Sequence, residues 1–368
     1  MSVLSVTKNP TILVAVLNWG LGHAIRCIPI IRSLSAHGCN IVLASDGVAL
    51  SVFRQNFPEF PALELPSYNI RYPFASMYFN MAVQGPKIGK TICAEYQWVQ
   101  KTISAYGING ILSDARFGCF SPHIPGIFIT HQVQLPIPDP FFRYMGNAAQ
   151  KKLFRQYSEL WIPDFPDPGG LAGKLSEAKG IPNARYIGIL SDQKIIPVGK
   201  KTDIDVLAVL SGPEPQRSRF EQRIIQQVSS ADVSVTLVRG VPGAIPSGIA
   251  SSGNLEVLPF LERAELYQYM SRSNILLSRS GYTTLMDLAS WGKRAILVPT
   301  PGQTEQTYLA QLHHDRGHFF ATAQKQFQIS EAVRQVQQSF AGIPAHSYKP
   351  EYSELLLEQA VQAFLNRL

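Results

Sequence analysis

Between Asn274 and Gln306 the chain reads NILLSRSGYTTLMDLASWGKRAILVPTPGQTEQ. Asn274 to Leu277 is a short apolar run between polar neighbours, the pattern of a buried parallel strand. Arg279, Ser280 and Gly281 make a tight turn. From Thr283 to Trp291, Leu285, Met286 and Leu288 recur on helical spacing, and Gly292 stands where a helix ends. Ala295 to Val298 is a second apolar strand, stopped by Pro299, and a polar loop follows to Gln306. Strand, helix and parallel strand in succession place the chain in the α/β class.

This layout suits an anion. Gly281 lets the backbone approach a ligand, and Ser280, Thr283 and Thr284 offer hydroxyls. The first helix amides point the same way, backed by the positive end of the helix dipole. A diphosphate fits there without a metal. Asp287 follows Thr283 by one helical turn and can accept hydrogen bonds from two ribose hydroxyls. The same residues also read as an ordinary helix cap beside a solvated acid.

A similar unit opens the chain. Ile12 to Leu17 is a strand, Asn18 to His23 a glycine loop, Ala24 to Ala36 an amphipathic helix ended by Gly38, and Cys39 to Ala44 a second strand. A dinucleotide fingerprint with Asp46 as ribose acid fails, because Ile25 stands where the third glycine belongs. His23 sits at the loop mouth instead. It is a candidate general base near neutral pH, and equally a helix-capping histidine.

These two segments together resemble glycosyltransferase family 28. In the second half the match lies in Arg279-Ser280-Gly281-x-x-Thr284, Asp287 eight residues after the Arg, Gly292 to Pro299, and the Gln-bearing loop. In the first half it lies in Gly20-Leu-Gly22-His23 with Arg26 and Pro29. The resemblance implies a GT-B fold: α/β, two Rossmann-like domains with parallel sheets facing a central cleft. It implies a cytoplasmic, inverting, metal-independent glycosyltransferase that moves a sugar from a UDP-linked donor to an acceptor hydroxyl. No cofactor is expected beyond the UDP-sugar co-substrate. Asp287 would hold the ribose, Glu305 and Gln306 the sugar, and Ser211 and Gly212 the diphosphate with Ser280 to Thr284. Phe260 and Leu261 would hold the base through their backbone, and Arg279 would add charge. The peptidoglycan-precursor branch of the family carries Glu in place of Asp287 and a Gln pair where this chain has Glu305-Gln306, so the donor sugar stays open.

Gly110 to Ser113 is a strand ending at Asp114, and Gly126 to Ile129 one ending at Thr130, His131 and Gln132. Strand ends of open α/β sheets face ligands. Gly20, Gly22, Asp114, His131 and Gln132 are therefore acceptor-side or cleft candidates. His131-Gln132 partly matches a His-Glu-Gln triplet of the family. Phe57 to Val83 reads as an irregular aromatic stretch, either an acceptor loop, a membrane-facing patch or an ordinary packed loop. Pro86 to Ala105 reads as a helix. Phe141 to Tyr157 mixes aromatics with Arg143, Lys151, Lys152 and Arg155. It suits either a peripheral contact with the anionic inner face of a membrane or a solvated helix.

A length of 368 residues favours two domains. The expected division is 1–190, a linker over 191–203, a donor domain over 204–348, and a closing helix over 349–368 that returns to the first domain. A net charge of +7 permits anionic partners. The basic residues are scattered, which argues against nucleic acid. The four cysteines have no C-x-x-C spacing, so neither zinc nor a disulfide framework is expected. No apolar run reaches the roughly 18–20 residues of a membrane span. Expected partners are the donor and a lipid-linked or small-molecule acceptor. Competing readings are a nucleotide-sugar hydrolase or epimerase of the same fold and a non-catalytic nucleotide-sugar-binding protein.

Overall fold

The structure, a computed structural model, describes residues 9–70, 77–166, 170–191, 202–241, 243, 245, 251, 253–344 and 347–368; of 77–79, 81 and 82 it describes the backbone. The chain divides into two compact units. The first takes Met1–Phe74, Tyr78–Leu190 and Glu351–Leu368, and the second Ser191–Pro350 with Ala75–Met77. Within the expected linker, residues 192–201 lie outside the described ones, as do Tyr72 and Phe74 of the aromatic stretch.

In the first unit the strands are β1 (Thr11–Val16), β2 (Asn40–Ser45), β3 (Ala62–Glu64), β4 (Gly110–Asp114), β5 (Gly126–Ile129), β6 (Glu159–Ile162) and β7 (Ala184–Tyr186). They pair in parallel in the order β3-β2-β1-β4-β5-β6-β7. β1, β4, β5 and β6 are almost wholly buried apolar runs because helices cover both faces. The helices are α1 (Leu21–Ala36), α2 (Gly47–Asn56), α3 (Met77–Tyr106) and α4 (Pro140–Phe154).

In the second unit β8 (Ile204–Val209), β9 (Val235–Val238), β10 (Leu255–Leu258), β11 (Ser273–Ser278), β12 (Arg294–Leu297) and β13 (Phe320–Ala321) form a parallel sheet. Its order is β10-β9-β8-β11-β12-β13. The helices are α5 (Gln216–Val228), α6 (Arg263–Arg272), α7 (Tyr282–Trp291), α8 (Thr304–Asp315) and α9 (Ile329–Ser339). One core joins Val206, Ala208, Leu277 and Ile296 of the sheet to Phe220 and Ile224 of α5 and Val336 of α9.

The closing helix α10 (Pro350–Leu365) lies against the first unit's sheet. Its Phe364 is fully buried and meets Trp161 of β6 edge-on at 6.3 Å. A side chain at Gly110 would collide with the Phe364 ring. The Ser353 hydroxyl accepts from the Ile189 amide at 3.2 Å, and Ser33 of α1 donates to Glu358 at 2.8 Å.

Three expected boundaries move, one of them the start of α3, at Met77 rather than Pro86. Helix α1 begins at Leu21, so Gly22 and His23 are helical rather than loop residues. Helix α8 begins at Thr304, so the loop after β12 stops at Gln303 and Glu305 and Gln306 lie in a first helical turn. The stretch 57–83 contains β3 and the start of α3. Tyr68 there is buried, its hydroxyl donating to Glu95 at 2.8 Å.

Candidate functional site

Both sheets have a topological switch point, where neighbouring strands send their crossovers to opposite sides and leave a crevice at their carboxyl ends. In the first unit it lies between β1 and β4. Gly20 opens it with φ 74° and ψ 178°, a backbone region that glycine adopts without strain. That turn starts α1 and places His23 opposite Asp114, the last residue of β4. His23 Nδ1 stands 2.7 Å from Asp114 Oδ1. Asp114 is fully buried, and the His23 side chain is 20% exposed.

Asp114 is gripped further. Arg26 Nε donates to Oδ2 at 2.6 Å, Arg26 Nη2 donates to Oδ1, and the Cys27 thiol donates to Oδ2 at 3.2 Å. Arg26 Nη1 reaches His131 Nδ1 at 3.0 Å. Burial alone would raise the Asp114 pKa, but the Arg26 charge and the His23 contact together hold it well below the usual carboxylate range. Asp114 is therefore an anion that can only accept, and His23 Nδ1 carries the proton of the shared bond. The lone pair is then on Nε2. Burial and the Arg26 charge lower the His23 pKa from 6.5, against the pull of Asp114. The ring is neutral at pH 7, as a base requires.

Of the other candidates on this edge, His131 joins the cluster through Arg26. The Gln132 carbonyl accepts from Gln150 at 2.6 Å, and its amide bonds Thr130 Oγ1 at 3.0 Å. Gly22 lies in the first turn of α1. The sequence reading missed Arg26 as a partner of Asp114. Strand order could have indicated it, since β1 beside β4 brings the start of α1 to the end of β4.

The second unit's switch point lies between β8 and β11. Ser211 and Gly212 follow β8, Phe260 and Leu261 follow β10, and Arg279 to Gly281 follow β11. The loop after β12 shares that carboxyl edge. Gly212 has φ +101°, which calls for glycine. Gly281 has φ −71°, and a Cβ there would meet only Thr284 Oγ1 at 4.0 Å. Neither backbone nor packing requires glycine at 281. Among the described residues no side chain caps the start of α7.

Three expected ligand contacts have protein partners in this structure. Arg279 turns inward and is 2% exposed. Its guanidinium donates to the Val298 carbonyl at 3.0 Å, the Gln216 carbonyl at 3.0 Å and Gln324 Oε1 at 2.8 Å, and it stacks on Phe220. Burial pushes its pKa down to about 10. It staples three loops together rather than facing a ligand, because five donors buried there need carbonyl partners. The Ser280 hydroxyl donates to the Gln306 carbonyl at 2.7 Å, so its proton is engaged. The Gln306 side chain accepts from the Thr300 amide at 2.8 Å, which makes it a loop brace.

Thr283, Thr284 and Asp287 are half-buried on α7, and Glu305 lies in the first turn of α8. Asp287 Oδ1 already accepts from the Ser191 hydroxyl at 2.7 Å, the kind of bond a ribose hydroxyl would make. A cavity of about 610 Å³, lined by Asp205, Ser273, Lys293 and Arg294, opens at the opposite, amino edge of this sheet, away from these loops. Among the described residues, no group of three or more acids, histidines or cysteines could hold a metal, and no helix is long and apolar enough to cross a membrane.

The family model for the glycosyltransferase family 28 C-terminal domain matches residues 220–359, which include α7, Asp287 and the β12 loop. The chain is a glycosyltransferase whose second half matches the family 28 C-terminal domain. A relative from Methanosarcina mazei, described as an uncharacterized glycosyltransferase, is 22% identical over 83% of this chain and 84% of its own. A second relative is the UDP-N-acetylglucosamine–N-acetylmuramyl-(pentapeptide) pyrophosphoryl-undecaprenol N-acetylglucosamine transferase of Methylobacterium radiotolerans. It is 33% identical over 28% of this chain and 25% of its own. Among solved structures, the calicheamicin glycosyltransferase CalG4 aligns with a TM-score of 0.69 at 13% identity, covering 98% of this chain and 99% of that one. The glycosyltransferase thus shares the GT-B architecture of two Rossmann-like halves, and its reaction joins a glycosyl donor to an acceptor.

Proposed function

We propose that this glycosyltransferase moves a sugar from a UDP-linked donor to an acceptor hydroxyl by one inverting displacement, without a metal. The observation that carries the reading is the 2.7 Å bond between His23 Nδ1 and buried Asp114. It leaves the His23 Nε2 lone pair to take the acceptor proton as that oxygen attacks the anomeric carbon. The second unit holds the donor. The amides at the start of α7 and the Ser211-Gly212 turn stabilise the departing diphosphate, and Asp287 holds the ribose. A single base and helix-terminal stabilisation of the leaving group are what one displacement needs. The partial match to an enzyme that uses UDP-N-acetylglucosamine supports UDP as the nucleotide.

Calorimetric titration of UDP, GDP, dTDP, ADP and NAD in the presence of EDTA tests the donor half. UDP is expected to bind selectively, with affinity falling roughly 10–100-fold in Asp287→Ala, the loss of one or two hydrogen bonds to a charged group. His23→Ala should bind UDP as the parent does. Binding that requires added metal, or preference for NAD, would sink this assignment.

Peripheral contact with an anionic membrane belongs to the same proposal. Phe141, Phe142, Tyr144 and Met145 at the start of α4 are 54–74% exposed, and Arg143 between them is exposed. Aromatic side chains beside cations suit a lipid headgroup boundary. The full chain should co-sediment with vesicles containing phosphatidylglycerol more than with neutral ones, and less at high salt. Phe141→Ser with Phe142→Ser should reduce binding at least about tenfold. Equal recovery of the double variant would remove α4 from the contact.

A further inference from the structure

We propose that Arg26 is a positioning residue of this reaction, holding Asp114 and two histidines in the arrangement that leaves His23 a working base. The inference rests on the reading of His23 given above. Arg26 follows His23 by one turn of α1 and is 2% exposed. Its Nε and Nη2 take both oxygens of Asp114 in a fork, which fixes the carboxylate plane and aims Oδ1 at His23 Nδ1. Its Nη1 stands 3.0 Å from His131 Nδ1. A guanidinium only donates, so that nitrogen accepts and His131 carries its proton on Nε2. Arg26 Nη2 also lies 3.0 Å from His23 Nδ1. That nitrogen already donates to Asp114, so this is a close approach of a cation to the ring rather than a hydrogen bond.

Charge gives the arrangement its consequence. The titratable and charged groups around His23 are Arg26 and Cys27 of α1, Asp114 of β4 and His131 after β5. Burial pushes the Cys27 thiol well up, so it is neutral. Arg26 and Asp114 cancel, and the His23 ring beside them is uncharged. Without Arg26, buried Asp114 would have His23 as its nearest source of positive charge. The dyad would then take up a proton, and His23 would become imidazolium at a pH where it now keeps its lone pair. In this arrangement Asp114 orients the base, and Arg26 offsets the negative charge that would otherwise draw a proton onto it.

Two variants of the full chain test this. In Arg26→Gln the His23 ring, followed by long-range ¹H–¹⁵N NMR, should titrate at least about one pH unit higher, a shift expected when a neighbouring cation is lost. The acid limb of the kcat/KM profile should move with it. An unchanged His23 midpoint in folded Arg26→Gln overturns the proposal, whatever turnover shows. Arg26→Lys keeps the charge but not the fork. It should keep the acid limb and lose roughly tenfold or more of plateau kcat, with donor KM unchanged. A Lys variant with full kcat overturns the proposal even if Arg26→Gln fails to fold. Failure of the base reading is separable, because it would appear as parental turnover in His23→Ala.

Discussion

His23→Ala should lower kcat by roughly 10²–10⁴-fold, the usual contribution of a general base, while UDP affinity stays within a factor of about two. The two effects separate because the base is carried by the first unit and the proposed nucleotide contacts by the second. Asp114→Asn should approach the same loss. Its amide can turn a donor toward His23, and a ring that accepts at Nδ1 carries its proton on Nε2, where the lone pair is needed. The pH dependence follows from the lowered His23 pKa. Activity should be level at neutral pH and fall as pH drops through a midpoint below 6.5. Stability moves in the same direction for two reasons. A histidine that resists protonation when folded removes stability as pH falls below its unfolded value. A carboxylate held low when folded contributes stability above 3.8 that is lost on further acidification. A rate that rises toward acid pH would remove His23 from the role of base.

Phe364→Ala should destabilise the first unit by about 3–5 kcal/mol, the usual range for a buried phenylalanine truncated in a packed core. Phe364 is fully exposed to neither solvent nor rearrangement: it is 0% accessible, flanked by Trp161 and by the bare backbone of Gly110. The Gly110 backbone lies on the sheet floor and cannot move in to fill the hole. Melting followed at tryptophan should show the first unit unfolding earlier while UDP binding by the second survives at lower temperature. A single unshifted transition would mean that α10 adds little to the first unit.

Much of this fold was legible because parallel strands buried on both faces are continuous apolar runs. Ile12 to Leu17, Gly126 to Ile129 and Ile204 to Leu210 lie within one residue of the observed strands at either end. Short elements were not legible. β13 has two residues, and β3 has three, none of them buried. Helix α8 was hidden by Pro299, Pro301 and Gly302, which read as loop before Thr304 begins a helix. At the sites, residue types were easier to read than side-chain directions. His23 and Asp114 were both named, but 91 residues separate them, and local spacing carries no trace of their bond. Arg279 shows the opposite limit. Its place in a motif suggested a ligand contact, whereas an inward rotamer makes it a brace.

The division of the chain bears on how it is made. The first unit needs Glu351–Leu368, but Ser191–Pro350 are translated in between. At about 5–20 residues per second, the nascent first unit waits roughly 10–30 s with the floor around Trp161 and Gly110 uncovered. The second unit's strands and helices are contiguous, so it can close before the first is complete. Premature termination between Pro350 and Phe364 would therefore release a chain whose second unit is whole and whose earliest-made half is the unfinished one. Chaperones that bind apolar surface would be expected to hold that half, and not the later one, until Phe364 arrives.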